Sequence, residues 1–147
     1  MKYKLPNVIG FASDHAGYDL KENIKADLQI KNIKLIDVGT SSNDSVDYPD
    51  YGKLLGDLVS KNKIKYGIAI CGSGIGISIA LNRIEGVRAA VCNNEDMVKL
   101  ARQHNNANVL VLGARFITLN KALKYINIFE NELFEGGRHL PRVEKLG

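Results

Sequence analysis

The sequence predicts an α/β fold: one open, doubly wound domain with a five-stranded parallel sheet and helices on both faces. Two observations carry this. Short apolar runs alternate with segments of helical spacing five times along the chain, the pattern of repeated βα units. At 147 residues the chain has the length of a single domain with a real core, and no repeat or low-complexity linker divides it.

The elements follow in order. Val8–Ala12 reads as the first strand, and Leu20, Ile24 and Leu28 then recur at helical spacing. Ile33–Val38 reads as the second strand, followed by a polar loop from Gly39 to Pro49. Pro49 opens the next helix, marked by Leu54, Leu55, Leu58 and Val59, and pushes Tyr48 into an extended conformation. Tyr66–Ile70 suits a fully buried third strand, and a helix starts near Ile77 and runs to Arg83. Val87–Val91 is the fourth strand, with Met97, Leu100 and Ala101 on the helix after it. Val109–Leu112 is the fifth, followed by a helix through Leu119, Leu123 and Ile126 and then a tail.

Composition narrows the function. The net charge is only +4, and lysines such as Lys21, Lys25, Lys31, Lys61, Lys99 and Lys121 read as a solvated surface. Without an arginine stripe or interleaved aromatics, nucleic-acid binding is not expected. No apolar stretch approaches membrane-spanning length, so no membrane partner is expected. The N-terminus leads straight into strand-like residues without a secretory segment, and two cysteines, Cys71 and Cys92, make no disulfide scaffold. A reduced, cytoplasmic protein is expected.

Ligands of doubly wound sheets sit beyond the carboxyl ends of the strands. There, the third strand runs into Cys71-Gly72-Ser73-Gly74-Ile75-Gly76. A strand that breaks into a glycine loop and then a helix turns backbone N–H groups toward one point, with the positive end of the helix dipole behind them. Such a nest holds anions and favours the thiolate of a cysteine at its mouth. A structural cysteine beside a simple turn is an equal alternative. Spacing excludes the commoner glycine loops. A dinucleotide fingerprint needs glycine where Ile77 stands, and a Walker loop needs a Gly-Lys-Ser/Thr ending. A cysteine phosphatase would need an arginine at the position of Ile77.

Other candidates surround this loop. Asp14 and His15 follow the first strand and suit sugar hydroxyls or a phosphate, although Asp14 also suits a helix cap. Asp47 and Tyr48 end the loop after the second strand, where a plain surface loop is the alternative. His104 falls on the next inward position after Met97, Leu100 and Ala101, at a helix C-terminus suited to acid chemistry. Most histidines on apolar faces are satisfied core residues. Arg115, Arg138 and Arg142 offer three guanidinium groups for a phosphate dianion, or in part a solvated basic tail. The histidines and Cys71 match no metal-ligand spacing, so no metal is expected.

Together the motifs resemble the type B ribose-5-phosphate isomerases and their relatives, the galactose-6-phosphate isomerases. The resemblance runs through Ser13-Asp14-His15-Ala16-Gly17, Asp47-Tyr48-Pro49, Ile70 to Ser78, Asn82-Arg83, Arg102-Gln103-His104-Asn105, Asn108-Val109-Leu110 and Gly136-Gly137-Arg138-His139. It implies an aldose–ketose isomerase that moves a proton between C2 and C1 through an enediolate, without a cofactor. By this resemblance Cys71 is the base, His104 opens the furanose ring with Asn105 beside it, and Ser73 shuttles protons. The N–H groups of the loop Gly72, Ser73, Gly74, Ile75 and Gly76 would stabilise the enediolate, each well-placed donor contributing about 3–4 kcal/mol. Asp14, Asp47 and Tyr48 would hold sugar hydroxyls, and His15, Arg115, Arg138 and Arg142 the phosphate. Some members use a glutamate further along the loop as base. Ile77 stands at that position here, which leaves the role to Cys71, and Leu81 replaces a smaller residue.

If both residues are catalytic, a geometric consequence follows. Cys71 ends a strand, while His104 ends a helix running back to the opposite edge of the sheet. A strand of about five residues spans on the order of 17 Å, too far for one sugar to touch both. His104 must then come from a second subunit, giving an obligate homodimer with shared sites, with a tetramer left open. The expected substrate is ribose 5-phosphate, of the non-oxidative pentose phosphate pathway. Galactose 6-phosphate or allose 6-phosphate is the competitor, decided by the pocket near Asp47, Tyr48 and Ile75. A non-catalytic phosphosugar-binding protein would keep the loop and arginines but would not need Cys71 or His104.

Overall fold

The computed structural model describes residues 4–147. The strands are β1 (Val8–Ser13), β2 (Lys34–Asp37), β3 (Tyr66–Cys71), β4 (Ala89–Val91) and β5 (Val109–Gly113). They form one parallel sheet in the order β2-β1-β3-β5-β4. The helices are α1 (Tyr18–Ile30), α2 (Tyr48–Ser60), α3 (Ile75–Asn82), α4 (Glu95–Gln103), α5 (Leu119–Asn131) and α6 (Leu140–Glu144). This is the expected doubly wound, Rossmann-like architecture. None of the described helices is long and apolar enough to cross a membrane.

The strand period of two sorts the core onto the two faces. Ile68 and Ile70 of β3, with Leu110 and Leu112 of β5, pack with Ile24 of α1, Val98 of α4 and Ile126 and Phe129 of α5. Ala69 and Cys71, with Val109 and Val111, face Leu55 and Val59 of α2 and Ile77 and Leu81 of α3. Both Ile77 and Leu81 are therefore core residues of the layer behind Cys71. The chain leaves β1 toward β2 on one side and leaves β3 toward β4 on the other. The crevice between the carboxyl ends of β1 and β3 is thus the switch point where such folds bind ligands.

The structure corrects four local expectations. Lys21 is not at the surface: its side chain is 0% exposed and its ammonium lies 2.6 Å from Asp37 and 3.0 Å from Glu22. A lone lysine in an otherwise polar stretch carries no signal of burial, because its acid partner stands on β2. Tyr48 is the first residue of α2 rather than extended, and Asp47 is the extended cap. The buried face of α4 is Val98 and Ala101, while Met97 and Leu100 are exposed. This helix carries two apolar stripes, and periodicity alone does not say which meets the sheet. Finally, the tail is ordered into a turn at Gly137–His139 and the short α6.

Candidate active site

At the switch point, Cys71 is the last residue of β3 and is buried. Gly74 has φ +79° and caps α3, a left-handed conformation that glycine adopts without strain. That turn aims the Gly74 N–H at the thiol, donating to Sγ at 3.2 Å. The Ile75 N–H donates to Ser73 Oγ at 3.2 Å. Both N–H groups thus turn toward side chains of the loop itself, the first of them the thiol.

The missing side chains of the loop are filled by neighbours. A Cβ on Gly76 would lie 2.5 Å from Cζ of Tyr48, so the Tyr48 ring rests on the helix start. A Cβ on Gly72 would lie 3.2 Å from Cζ of Arg115, whose guanidinium covers the loop from the β5 side. The Arg115 N–H also donates to the Gly72 carbonyl at 3.0 Å. Asp14 joins from β1: its N–H donates to the Ile70 carbonyl at 3.3 Å, and its Oδ1 accepts from the Gly17 N–H at 3.1 Å. It is thus a cap as well as a site neighbour. His15 accepts the Val46 N–H on Nδ1 at 3.2 Å, which ties the loop before α2 to this edge and leaves Nε2 to carry the proton. Asp47 is exposed beside Tyr48.

A second group lies elsewhere. His104 caps the C-terminus of α4, its N–H donating to the Leu100 carbonyl at 2.9 Å. In a parallel sheet that is the amino edge, and the six residues of β3 rise by roughly 20 Å between the two edges. His139 stacks on His104 with ring centroids 4.1 Å apart and planes 15° from parallel. Glu135 Oε2 lies 3.9 Å from His104 Nε2 and 3.7 Å from His139 Nε2. Burial, with His104 and Arg138 beside it, pushes the His139 imidazole below its ordinary range, against the pull of Glu135. Arg138 reaches His139 Nε2 at 3.4 Å, and Arg142 adds positive charge nearby. Asn105 is exposed next to His104.

Two expectations change here. The three arginines do not meet within one chain: Arg115 stands with Cys71, while Arg138 and Arg142 stand with His104. The spacing argument against metal ligation also missed a cluster, because His104, Glu135 and His139 bring ligand atoms within 4.8 Å of one another. As built, the cluster is a stacked imidazole pair with the Glu135 carboxylate 3.7–3.9 Å from both Nε2 atoms. Taken alone, Glu135 carries no signal in the sequence, and His139 enters there only as the end of the motif Gly136-Gly137-Arg138-His139. Their i, i+4 spacing just before the basic tail was the available signal.

A doubly wound domain with a thiol and an anion cradle at its switch point has the construction of a small-molecule enzyme. The ribose/galactose isomerase profile matches residues 9–146, and the chain belongs to that family. It is a sugar isomerase. Ribose-5-phosphate isomerase B of Escherichia coli is 41% identical over 138 residues, covering 94% of this chain and 93% of the relative. A ribose 5-phosphate isomerase of Thermotoga maritima superposes with TM-score 0.93 at 46% identity, covering 98% of both chains. Ribose-5-phosphate isomerase B of Mycoplasma genitalium, solved with bound ribulose-5-phosphate, superposes with TM-score 0.90 at 42% identity, covering 97% of this chain and 95% of that one.

Proposed function

We propose that this protein interconverts D-ribose 5-phosphate and D-ribulose 5-phosphate in the non-oxidative pentose phosphate pathway. The observation that carries the reading is the Cys71 thiol at the switch point, receiving the Gly74 N–H in a loop against which Tyr48 and Arg115 pack. His104 takes the anomeric hydroxyl proton and returns one to the ring oxygen as the C1–O bond breaks. The Cys71 thiolate then removes the C2 proton. The resulting enediolate places its charge on O1 and O2, where the loop N–H groups face it. Ser73 relays the O2 proton to O1 and Cys71 returns its proton to C1, which leaves a hydroxymethyl group at C1 and the ketone at C2. Asp14, Asp47 and Tyr48 hold hydroxyls, Asn105 sits beside the opening ring, and His15 and the arginines hold the phosphate.

The separation of His104 from Cys71 supports a site shared between two copies, in which Arg138 and Arg142 arrive with His104 and meet Arg115 around one phosphate. The rim of the nest is apolar and open in the single chain: Ile75 is 59%, Ile79 53% and Phe116 72% exposed. Such a patch suits burial against a second copy. Incubation of the purified protein with ribose 5-phosphate and, separately, with galactose 6-phosphate and allose 6-phosphate tests the substrate. Ribulose 5-phosphate should form fastest. Conversion of a hexose phosphate alone would overturn the pentose assignment.

A further inference from the structure

At the amino edge of the sheet, away from Cys71, a cleft of about 450 Å³ is walled by Lys65, Arg88, Arg102, Asn106 and Tyr66, with Glu130 at its side. The two arginines grip the same turn. Arg88 Nε donates to the Asn106 carbonyl at 2.9 Å, while Arg102 Nη1 donates to Asn106 Oδ1 at 3.1 Å and to the Ala107 carbonyl at 2.6 Å. Among the described residues neither guanidinium has a carboxylate partner, and the Nη2 group of each makes no hydrogen bond.

The cleft therefore holds two like charges, both partly buried. Burial lowers the affinity of each guanidinium for its proton, and Arg88 lowers that of Arg102 further. Partly desolvated cations without a counter-ion are costly. Tyr66 lies behind them, with its hydroxyl beside the Glu130 carboxylate. The residue is 5% exposed, and its hydroxyl has no hydrogen-bond partner among the described residues. Burial and the nearby Glu130 carboxylate keep that phenol protonated. The hydroxyl is closed off from water in this structure, so the arginines form the primary contact and Tyr66 the back wall.

We propose that this cleft is a second anion site, taking a phosphate group, free or as a small phosphate monoester, on Arg88 and Arg102. The geometry suits it: free Nη2 donors match phosphate oxygens, Lys65 adds charge at the rim, and the volume admits a small metabolite.

Calorimetric titration of inorganic phosphate into the full chain carrying Arg138→Ala and Arg142→Ala tests this, since that pair removes part of the catalytic phosphate grip proposed above. About one phosphate per chain should remain bound, and adding Arg102→Lys, which keeps the charge but loses the fork, should weaken it about tenfold. Arg88→Lys serves as a second variant, expected to weaken binding several-fold and to leave isomerase turnover unchanged. Loss of all phosphate binding in the Arg138/Arg142 background overturns the proposal, as does residual binding indifferent to both Arg102→Lys and Arg88→Lys. If the Arg138/Arg142 pair binds phosphate exactly as the unaltered chain does, the catalytic role of those arginines fails, and the cleft is still judged by Arg102→Lys.

Discussion

Gly76→Ala separates the stability of the fold from the geometry of the site. A Cβ at residue 76 would sit 2.5 Å from Cζ and 2.8 Å from both Cε atoms of Tyr48. Carbon contacts settle at roughly 3.5–4 Å, so the ring must withdraw by about 1 Å or more. It can do so, because Tyr48 is 40% exposed and opens α2. Meanwhile residue 76 lies in α3, where alanine is better than glycine by about 0.8–1 kcal/mol. The two effects nearly cancel, and thermal unfolding should shift by no more than about 2–4 °C in a domain of this size. Catalysis should not escape. If Tyr48 holds a sugar hydroxyl as proposed, displacing its ring by about 1 Å can cost on the order of 100-fold, and we expect kcat/KM to fall by at least about tenfold. In a Tyr48→Ala background the clash is gone, so Gly76→Ala should then stabilise by about 1 kcal/mol and leave the already reduced activity alone. Wild-type kcat/KM in Gly76→Ala, or equal destabilisation in both backgrounds, would refute the packing of Tyr48 on the nest.

The base assignment predicts that Cys71→Ala keeps substrate binding but loses more than about tenfold in turnover, equivalent to about 1.4 kcal/mol in barrier; smaller losses in stopped assays would remove Cys71 from that role. Alkylation should discriminate between the two thiols. Burial pushes Cys92 up to about 12, so mass spectrometry after iodoacetamide at neutral pH should find Cys71 modified, Cys92 intact and substrate protective. Asp37→Asn should destabilise by about 3 kcal/mol, because it leaves the fully buried Lys21 ammonium with only Glu22; chemical denaturation measures this. Burial raises the Asp37 carboxyl, but hydrogen bonds from Lys21, Lys25 and the Gly39 N–H outweigh it and hold the group below its ordinary value. A lowered folded value gives stability that is complete above the unfolded range, about pH 4, and lost as pH falls through the folded one. The wild type should therefore lose stability more steeply below about pH 4 than Asp37→Asn does.

Legibility in the sequence followed the range of the interactions. Strands such as Tyr66–Cys71 and helices such as α1 and α5 announce themselves through local periodicity, and the glycine nest through its spacing. Because β1 and β3 place their carboxyl ends at the switch point, Asp14 and Cys71 could be paired in advance. Lys21 with Asp37, and His104 with Glu135 and His139, join residues far apart in the chain, and no local pattern encodes such a pair. The same reason explains the arginines. Three guanidinium groups look like one set in a composition, yet Arg115 follows β5 at one edge while Arg138 and Arg142 follow α5 at the other. Periodicity places the buried face of α4 on Met97 and Leu100, which are apolar without belonging to this chain's core.

The central claim is that one site is built from two copies, Cys71 from one and His104 from the other. Unfolding Cys71→Ala and His104→Asn proteins together and refolding them should produce mixed dimers, about half of all dimers if pairing is random. Under a shared site, each mixed dimer holds one site with both substitutions and one with neither. The pool should therefore recover roughly a quarter of wild-type isomerase activity from two inactive parents. A pool shown by native mass spectrometry to be heterodimeric, yet no more active than the parents, would contradict the shared site and the placement of His104 in it.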